Sequence, residues 1–142
     1  EEACLQGTGR TVNPEVRRRV PEIMERIGQG VAGASECTAK FIYRETLPST
    51  VNDPAFTDLA KRVGEELWGS DRVRLVGPTM GAEDMSLYLE RLPGAFLFLG
   101  VGNEAKGTTF PQHHPEYDID EGVLPLGCAF LAGTAWRFLT GP

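Results

Sequence analysis

The chain has 142 residues, the size of one ordinary domain, and its 41% hydrophobic content can support a real core. With 20 acidic against 14 basic residues the net charge is -6, so a nucleic acid or an anionic membrane would meet general repulsion and neither is expected as a partner. Cys4, Cys37 and Cys128 are too scattered for a disulfide framework or a zinc ribbon, which points to a reducing, cytoplasmic setting, and neither a run of about 18 apolar residues nor a leader pattern stands out.

The opening, EEACLQGTGRT, lacks an initiator methionine and reads as text from the middle of a strand, a first hint of a fragment. ACLQGTGRTV predicts a strand that stops at Asn13-Pro14, where an Asn cap and a proline in the first turn start a helix. Val16, Val20, Ile23, Met24, Ile27 and Val31 form one apolar stripe on it, with solvated arginines opposite. Pro21 falls inside this pattern and predicts a kink or restart. CTAKFIYRE alternates Cys37, Ala39, Phe41 and Tyr43 with Thr38, Lys40, Ile42 and Arg44, the period of a half-exposed strand.

TLPSTVNDP is a connector, and Asp53-Pro54 repeats the capped start before a stripe of Phe56, Leu59, Ala60, Val63 and Leu67. Val73 to Val76 predicts a short strand, GPTMGAEDM a turn, and SLYLERL a brief helix ended by Pro93-Gly94. AFLFLGVG is continuously apolar, as in a strand buried on both faces. LPLGCAFLAGTAWRFL closes the chain as a helix with Leu124, Cys128, Leu131, Ala135 and Phe138 on one side. The change of character near residue 50 suggests an open-faced antiparallel sheet before it and a covered sheet after it.

The chain's two histidines stand together in FPQHHPEYDIDEG, which can be read as a metal site, a catalytic base with an orienting carboxylate, or a polar surface loop. In an extended segment their side chains would point to opposite sides, so one imidazole at most could face a given metal, and a catalytic zinc wants three protein ligands. Asp118 or Asp120 could orient a histidine base. EYDIDE does not match an EF-hand, Gly102 to Gly107 lacks the lysine of a phosphate loop because Thr108 stands there, and Ser35, Ser49, Ser70 and Ser86 lack a nucleophile-elbow context. In MGAED, Gly81 permits close approach and Glu83-Asp84 open a short helix, equally well as a helix start favoured by the dipole.

Read together, GTGRT (7–11), TVNDP (50–54), MGAED (80–84), PGAFLFLGVGNE (93–104), HHPEYDIDE (113–121) and LPLG (124–127) resemble, in order and over essentially the whole chain, the C-terminal part of the metal-dependent amidohydrolases. That family includes N-acyl-amino-acid amidohydrolases (aminoacylases), hippurate hydrolases, indole-acetyl-amino-acid hydrolases and related carboxypeptidases. The resemblance implies an α/β fold: residues 50–142 as the C-terminal part of a zinc-peptidase-like catalytic domain, and residues 1–49 as the second half of a ferredoxin-like α+β lid that makes the parent a homodimer. It implies two divalent ions, zinc, manganese or cobalt, with His113 as a metal ligand and His114 in a variable position. Asn52, Gly81, Glu83 and Asp84 become candidate substrate-binding residues, and the substrate a small N-acyl amino acid hydrolysed at its amide. The family's other ligands and its general base fall upstream of Glu1, so the chain is expected to supply one ligand and no catalytic residue and to be inactive alone. Gly9 and Met85 depart from the family's usual residues. The rival expectation is a non-enzymatic dimerisation or binding module.

Overall fold

The computed structural model describes residues 2–141. Four helices follow in chain order: α1 (Pro14–Ala34), α2 (Pro54–Trp68), α3 (Met85–Leu89) and α4 (Leu124–Thr140), with short 3₁₀ turns at Ser70–Arg72, Glu104–Lys106 and Glu121–Val123. Both Asn/Asp-Pro starts form as the sequence suggests. Asn13 Oδ1 accepts the N–H groups of Glu15 at 2.8 Å and Val16 at 3.4 Å, and Asp53 Oδ1 accepts that of Phe56 at 3.0 Å, satisfying donors that a first helical turn leaves unpaired. α1 runs through Pro21 without a restart. A proline removes one hydrogen bond, and the turns on either side continue around it.

The chain divides into two compact units, residues 2–51 with Val76–Leu92, and Asn52–Leu75 with residues 93–141. In the first, α1 ends with Glu36 at φ 56°, Glu36 N–H donating to the Gly33 carbonyl at 3.2 Å and Cys37 N–H to the Ala32 carbonyl at 2.9 Å. This is a Schellman closure with a glutamate at the position glycine usually takes. The chain is then tied back along α1 by Gln29 Nε2 donating to the Ala39 carbonyl at 2.9 Å and by an Arg17 Nε–Glu45 ion pair at 2.9 Å, so Arg17 is not simply solvated. The expected apolar stripe is half-buried only at Val20 and Ile23, while Val16, Met24, Ile27 and Val31 are exposed.

The four expected strands do not pair among the described residues, where the one bridge joins Asn103 and Thr108. The physical reason is that a strand is held by a neighbour's backbone, and 3–12, 37–45, 73–76 and 95–102 find no such ladder here. Side-chain alternation survives nonetheless: Ala39, Phe41 and Tyr43 are half-buried, and Lys40, Ile42 and Arg44 exposed. AFLFLGVG, expected to be covered on both faces, leaves Leu97, Phe98 and Leu99 exposed.

In the second unit α2 and α4 pack antiparallel, Phe56 meeting Phe138 with ring centroids 5.2 Å apart and Trp68 stacking on Phe130 at 5.3 Å. Between them lie Ala60 and Val63, 2% and 4% exposed. The helices approach closely at Gly133, where a Cβ would come 3.2 Å from Val63 Cγ1; a Cβ on Gly64 would sit 3.0 Å from Val73 Cγ2, beyond the end of α2, and 3.7 Å from Phe130. α4 therefore turns inward Gly127, Phe130, Gly133, Thr134 and Arg137, while Leu124, Cys128, Leu131 and Ala135 of the expected side are exposed and Phe138 of that side reaches Phe56. Because α4 is apolar nearly all round, its hydrophobic pattern cannot name a face, and small residues that permit close approach decide it. By length and composition Glu121–Thr140 is apolar enough to cross a membrane, contrary to the reading that no such run stands out. In the structure the same helix packs on α2, and its Arg137 pairs with Glu66 at 2.6 Å.

Gly64→Ala should destabilise the protein by about 1 kcal/mol, because overpacking against Val73 outweighs the helix-propensity gain. Gly28→Ala in α1, where a Cβ meets nothing within 4 Å, should stabilise by about 0.5–1 kcal/mol. Urea unfolding of the two variants side by side checks the opposite signs.

Candidate functional site

The segment carrying the histidines leaves and returns to one short stretch of backbone. Asn103 and Thr108 form an antiparallel bridge, Asn103 N–H donating to the Thr108 carbonyl at 3.2 Å and Thr108 N–H to that of Asn103 at 3.1 Å, and Thr108 is 7% exposed. At the far end Asp120 N–H donates to the Val101 carbonyl at 2.9 Å. Its carboxylate, 13% exposed, accepts from Asn103 Nδ2 at 2.7 Å and Gly122 N–H at 3.0 Å, and pairs with Lys106 Nζ. The hydrogen bond from Lys106, then those from Asn103 and Gly122, lower the Asp120 carboxyl from its usual 3.8 to about 2.

Within the loop the chain makes two consecutive turns rather than the extended run that the His-His-Pro order suggested. His114 N–H donates to the Pro111 carbonyl at 3.1 Å, and Tyr117 N–H to the His114 carbonyl at 3.0 Å. The first turn has φ 70° at His113, its third residue, as in a type II turn where glycine is the usual occupant. Pro115, second in the next turn, pre-sets the backbone angle that turn needs. A left-handed non-glycine residue is costly and tends to mark function.

The two imidazoles are used differently. His114 stacks on Phe110 with ring centroids 4.3 Å apart and planes 10° from parallel, and its Nδ1 accepts the Glu116 N–H at 3.1 Å, which places the neutral ring's proton on Nε2. His113 is exposed, and among the described residues its ring makes no hydrogen bond. Asp118 Oδ1 accepts the Ile119 N–H at 2.8 Å, both Asp120 oxygens are engaged by other donors, and neither carboxylate hydrogen-bonds a histidine ring. Among the described residues no three His, Cys, Asp or Glu side chains gather as a metal-binding group. The described residues by themselves do not make a complete metal site.

The other candidates divide between the units. Asn52, in the same unit as His113, spends its whole side-chain amide on one residue: Nδ2 donates to the Phe96 carbonyl at 2.9 Å, and Oδ1 accepts the Phe96 N–H at 2.8 Å. Gly81, Glu83 and Asp84 belong to the other unit. Glu83 serves the start of α3, its carbonyl accepting Ser86 Oγ at 2.6 Å and its carboxylate the Met85 N–H at 3.3 Å, while Asp84 is exposed and makes no side-chain cap bond. A Cβ on Gly81 would meet only Thr79 Oγ1, at 3.7 Å, so the glycine is not forced by crowding here. Sequence reasoning missed the Asn103–Lys106–Asp120 network. Asn103 ahead of Glu-Ala-Lys-Gly is a legible turn cap, but nothing in the spacing pairs that turn with Asp120.

Comparison with known proteins identifies the family to which the chain belongs. The chain resembles the crystal structure of the YXEP protein of Bacillus subtilis, described as a dinuclear metal binding peptidase from the M20 family, with TM-score 0.77 and 30% identity over 92% of this chain and 34% of that one. It belongs to Peptidase family M20/M25/M40, whose profile matches residues 3–137. Similar curated proteins include Thermostable carboxypeptidase 1 of Saccharolobus solfataricus, 36% identical over 97% of this chain and 35% of the relative, and N-acetylcysteine deacetylase of Bacillus subtilis, 33% identical over 95% and 34%. Another is the IAA-amino acid hydrolase ILR1-like 6 of Arabidopsis thaliana, 36% identical over 87% of this chain and 27% of the relative. The chain thus spans about a third of the length of the curated relatives it matches.

Two outcomes follow from the loop. His113→Gly should raise stability by about 0.5 kcal/mol, since relief of the left-handed residue exceeds the entropy that glycine adds to the unfolded chain; thermal unfolding measures it. Asp120 has a lowered folded pKa, so its contribution is complete above about pH 4 and is lost as pH falls towards 2; the Asn103 side-chain amide resonances should shift over that window.

Proposed function

We propose that the chain contributes His113 as one metal ligand to a hydrolase that cleaves the amide bond of N-acyl amino acids, releasing a carboxylic acid and an amino acid. Membership of the family supports the hydrolase, and the named activities of relatives on N-acetylcysteine and IAA-amino acids support the amide substrate class. The observation that carries the residue assignment is the contrast between the rings: His114 is engaged by Phe110 and Glu116, while His113 stands exposed on a left-handed turn. When bound, two divalent ions, zinc, manganese or cobalt, would supply Lewis-acid polarisation of the acyl carbonyl. His113 would bind through a neutral imidazole nitrogen, and the two turns would hold that nitrogen in place.

In this reading residues 50–142 are the C-terminal part of a catalytic α/β domain and residues 1–49 part of a lid that joins two copies, the unpaired strand segments meeting partners outside this chain. Asp84, whose side chain makes no cap bond, would take the polar end of a substrate, while Glu83 holds the start of α3. Asn52 ties its segment to Phe96, and contact with substrate would require that pair to open. The exposed thiols of Cys4, Cys37 and Cys128 suit a reducing compartment such as the cytoplasm. The exposed Ile27 and Val31 face of α1 favours a second reading, a dimerisation module; a metal-independent dimer of the catalytically silent chain in light scattering would support it.

The chain alone, with zinc, manganese or cobalt added, should show no turnover of N-acetyl or N-benzoyl amino acids above buffer, because no three-ligand group forms among the described residues. In NMR spectra, Mn²⁺ should broaden the His113 ring signals at lower concentration than those of His114. Turnover by the chain alone would overturn the single-ligand reading, and prior broadening of His114 would reverse the assignment.

A further inference from the structure

Asp120 joins both ends of the His113 loop, through its backbone N–H and through its carboxylate. Its backbone N–H is fastened to Val101, and its Oδ2 reaches Asn103, which in turn is bridged to Thr108 where the loop departs. Its Oδ1 takes Lys106 Nζ and the Gly122 N–H, linking the same point to the 3₁₀ turn that leads into α4. Two segments, the turn at 103–106 and the turn at 121–123, thus converge on two oxygens. With Asn103, Lys106 and Gly122 all donating to it, the carboxylate is committed to the protein and is not available as a metal ligand or a base. A committed, charge-assisted anchor of this kind is stronger than a neutral one and directional.

The anchor matters because the loop it closes holds a strained residue. A left-handed histidine persists only where its surroundings over-determine it, and a loop with free ends could relax φ at His113 back to the ordinary region. The contacts inside the loop, the Phe110–His114 stack and the two turns, set its shape, but neither connects the residues at its two feet. That connection runs through Asn103 and Asp120.

We propose that Asp120 is a positioning residue for His113: by joining the feet of the 109–119 loop through Asn103, Lys106 and Val101, it maintains the left-handed turn that presents the His113 imidazole. This rests on the reading of His113 as a metal ligand, and it adds a residue that never touches the metal. Lys106 and Asn103 are the arms through which it acts.

The test uses the full chain in solution, with NMR as readout and Mn²⁺ alone as probe. In the wild type His113 should give the strong intraresidue HN–Hα cross-peak of a positive φ. Asp120→Asn should weaken that cross-peak and raise the Mn²⁺ concentration that halves the His113 ring signal about ten-fold, the usual size of the effect when a ligand's supporting partner is lost. The α2 and α4 amide signals should stay in place. If Asp120→Asn disturbs α2 and α4, Lys106→Ala, which removes one exposed arm, carries the test with the same readouts. An unchanged cross-peak and an unchanged Mn²⁺ midpoint in a folded variant overturn the proposal. If wild-type His113 is not broadened preferentially, the metal-ligand reading fails, while the cross-peak still decides whether Asp120 maintains the turn.

Discussion

The close approach of α2 and α4 is the constraint on which the better-packed unit depends. Gly133 against Val63 lets the helices meet without a layer of large side chains between them, Gly64 makes room for Val73 and Phe130, and the aromatic pairs Phe56–Phe138 and Trp68–Phe130 fill the ends. Once α4 is placed, its lead-in turn at Glu121–Val123 is placed with it, and Asp120 caps that turn. The same helix sets Gly127 against Leu99, so the AFLFLGVG segment that carries Val101 is located by α4 as well. Both feet of the His113 loop are therefore fixed, through short steps, by how two helices pack.

Where the structure departs from local expectation, the missing quantity is a partner rather than a propensity. The segment around Phe41 keeps a strand's alternation of half-buried and exposed side chains, and what it lacks is a neighbouring backbone. Asn52 shows how that need is otherwise met: its side-chain amide donates to and accepts from Phe96 as an adjacent strand would. Helices need no such neighbour for their backbone, which is why Asn13-Pro14 and Asp53-Pro54 started helices where the sequence put them.

The candidate site was legible in kind but not in detail. His-His-Pro was visible, and spacing argued that only one imidazole could serve; which one followed from the family pattern, not from the residues. In the structure a stack on Phe110 and a bond from Glu116 occupy His114, and His113 is exposed. The left-handed φ at His113 could not be read from composition, because histidine there defies the glycine preference that would have announced the turn. Asp120 was visible only as a possible partner for a histidine, since a carboxylate's nearest acid–base neighbour in sequence is seldom the group it meets in space.

By itself the sequence determined where helices begin, which residues alternate, and, through the order of its motifs, the family to which it belongs, because caps, periodicity and motif order are local properties of the chain. Only the tertiary structure decided which face of α4 turns inward, which histidine stays free, and that Asn103, Lys106 and Asp120 form one anchor. Those choices depend on contacts between residues far apart in the chain, and on backbone angles such as that of His113, which surrounding contacts can hold against a residue's own preference.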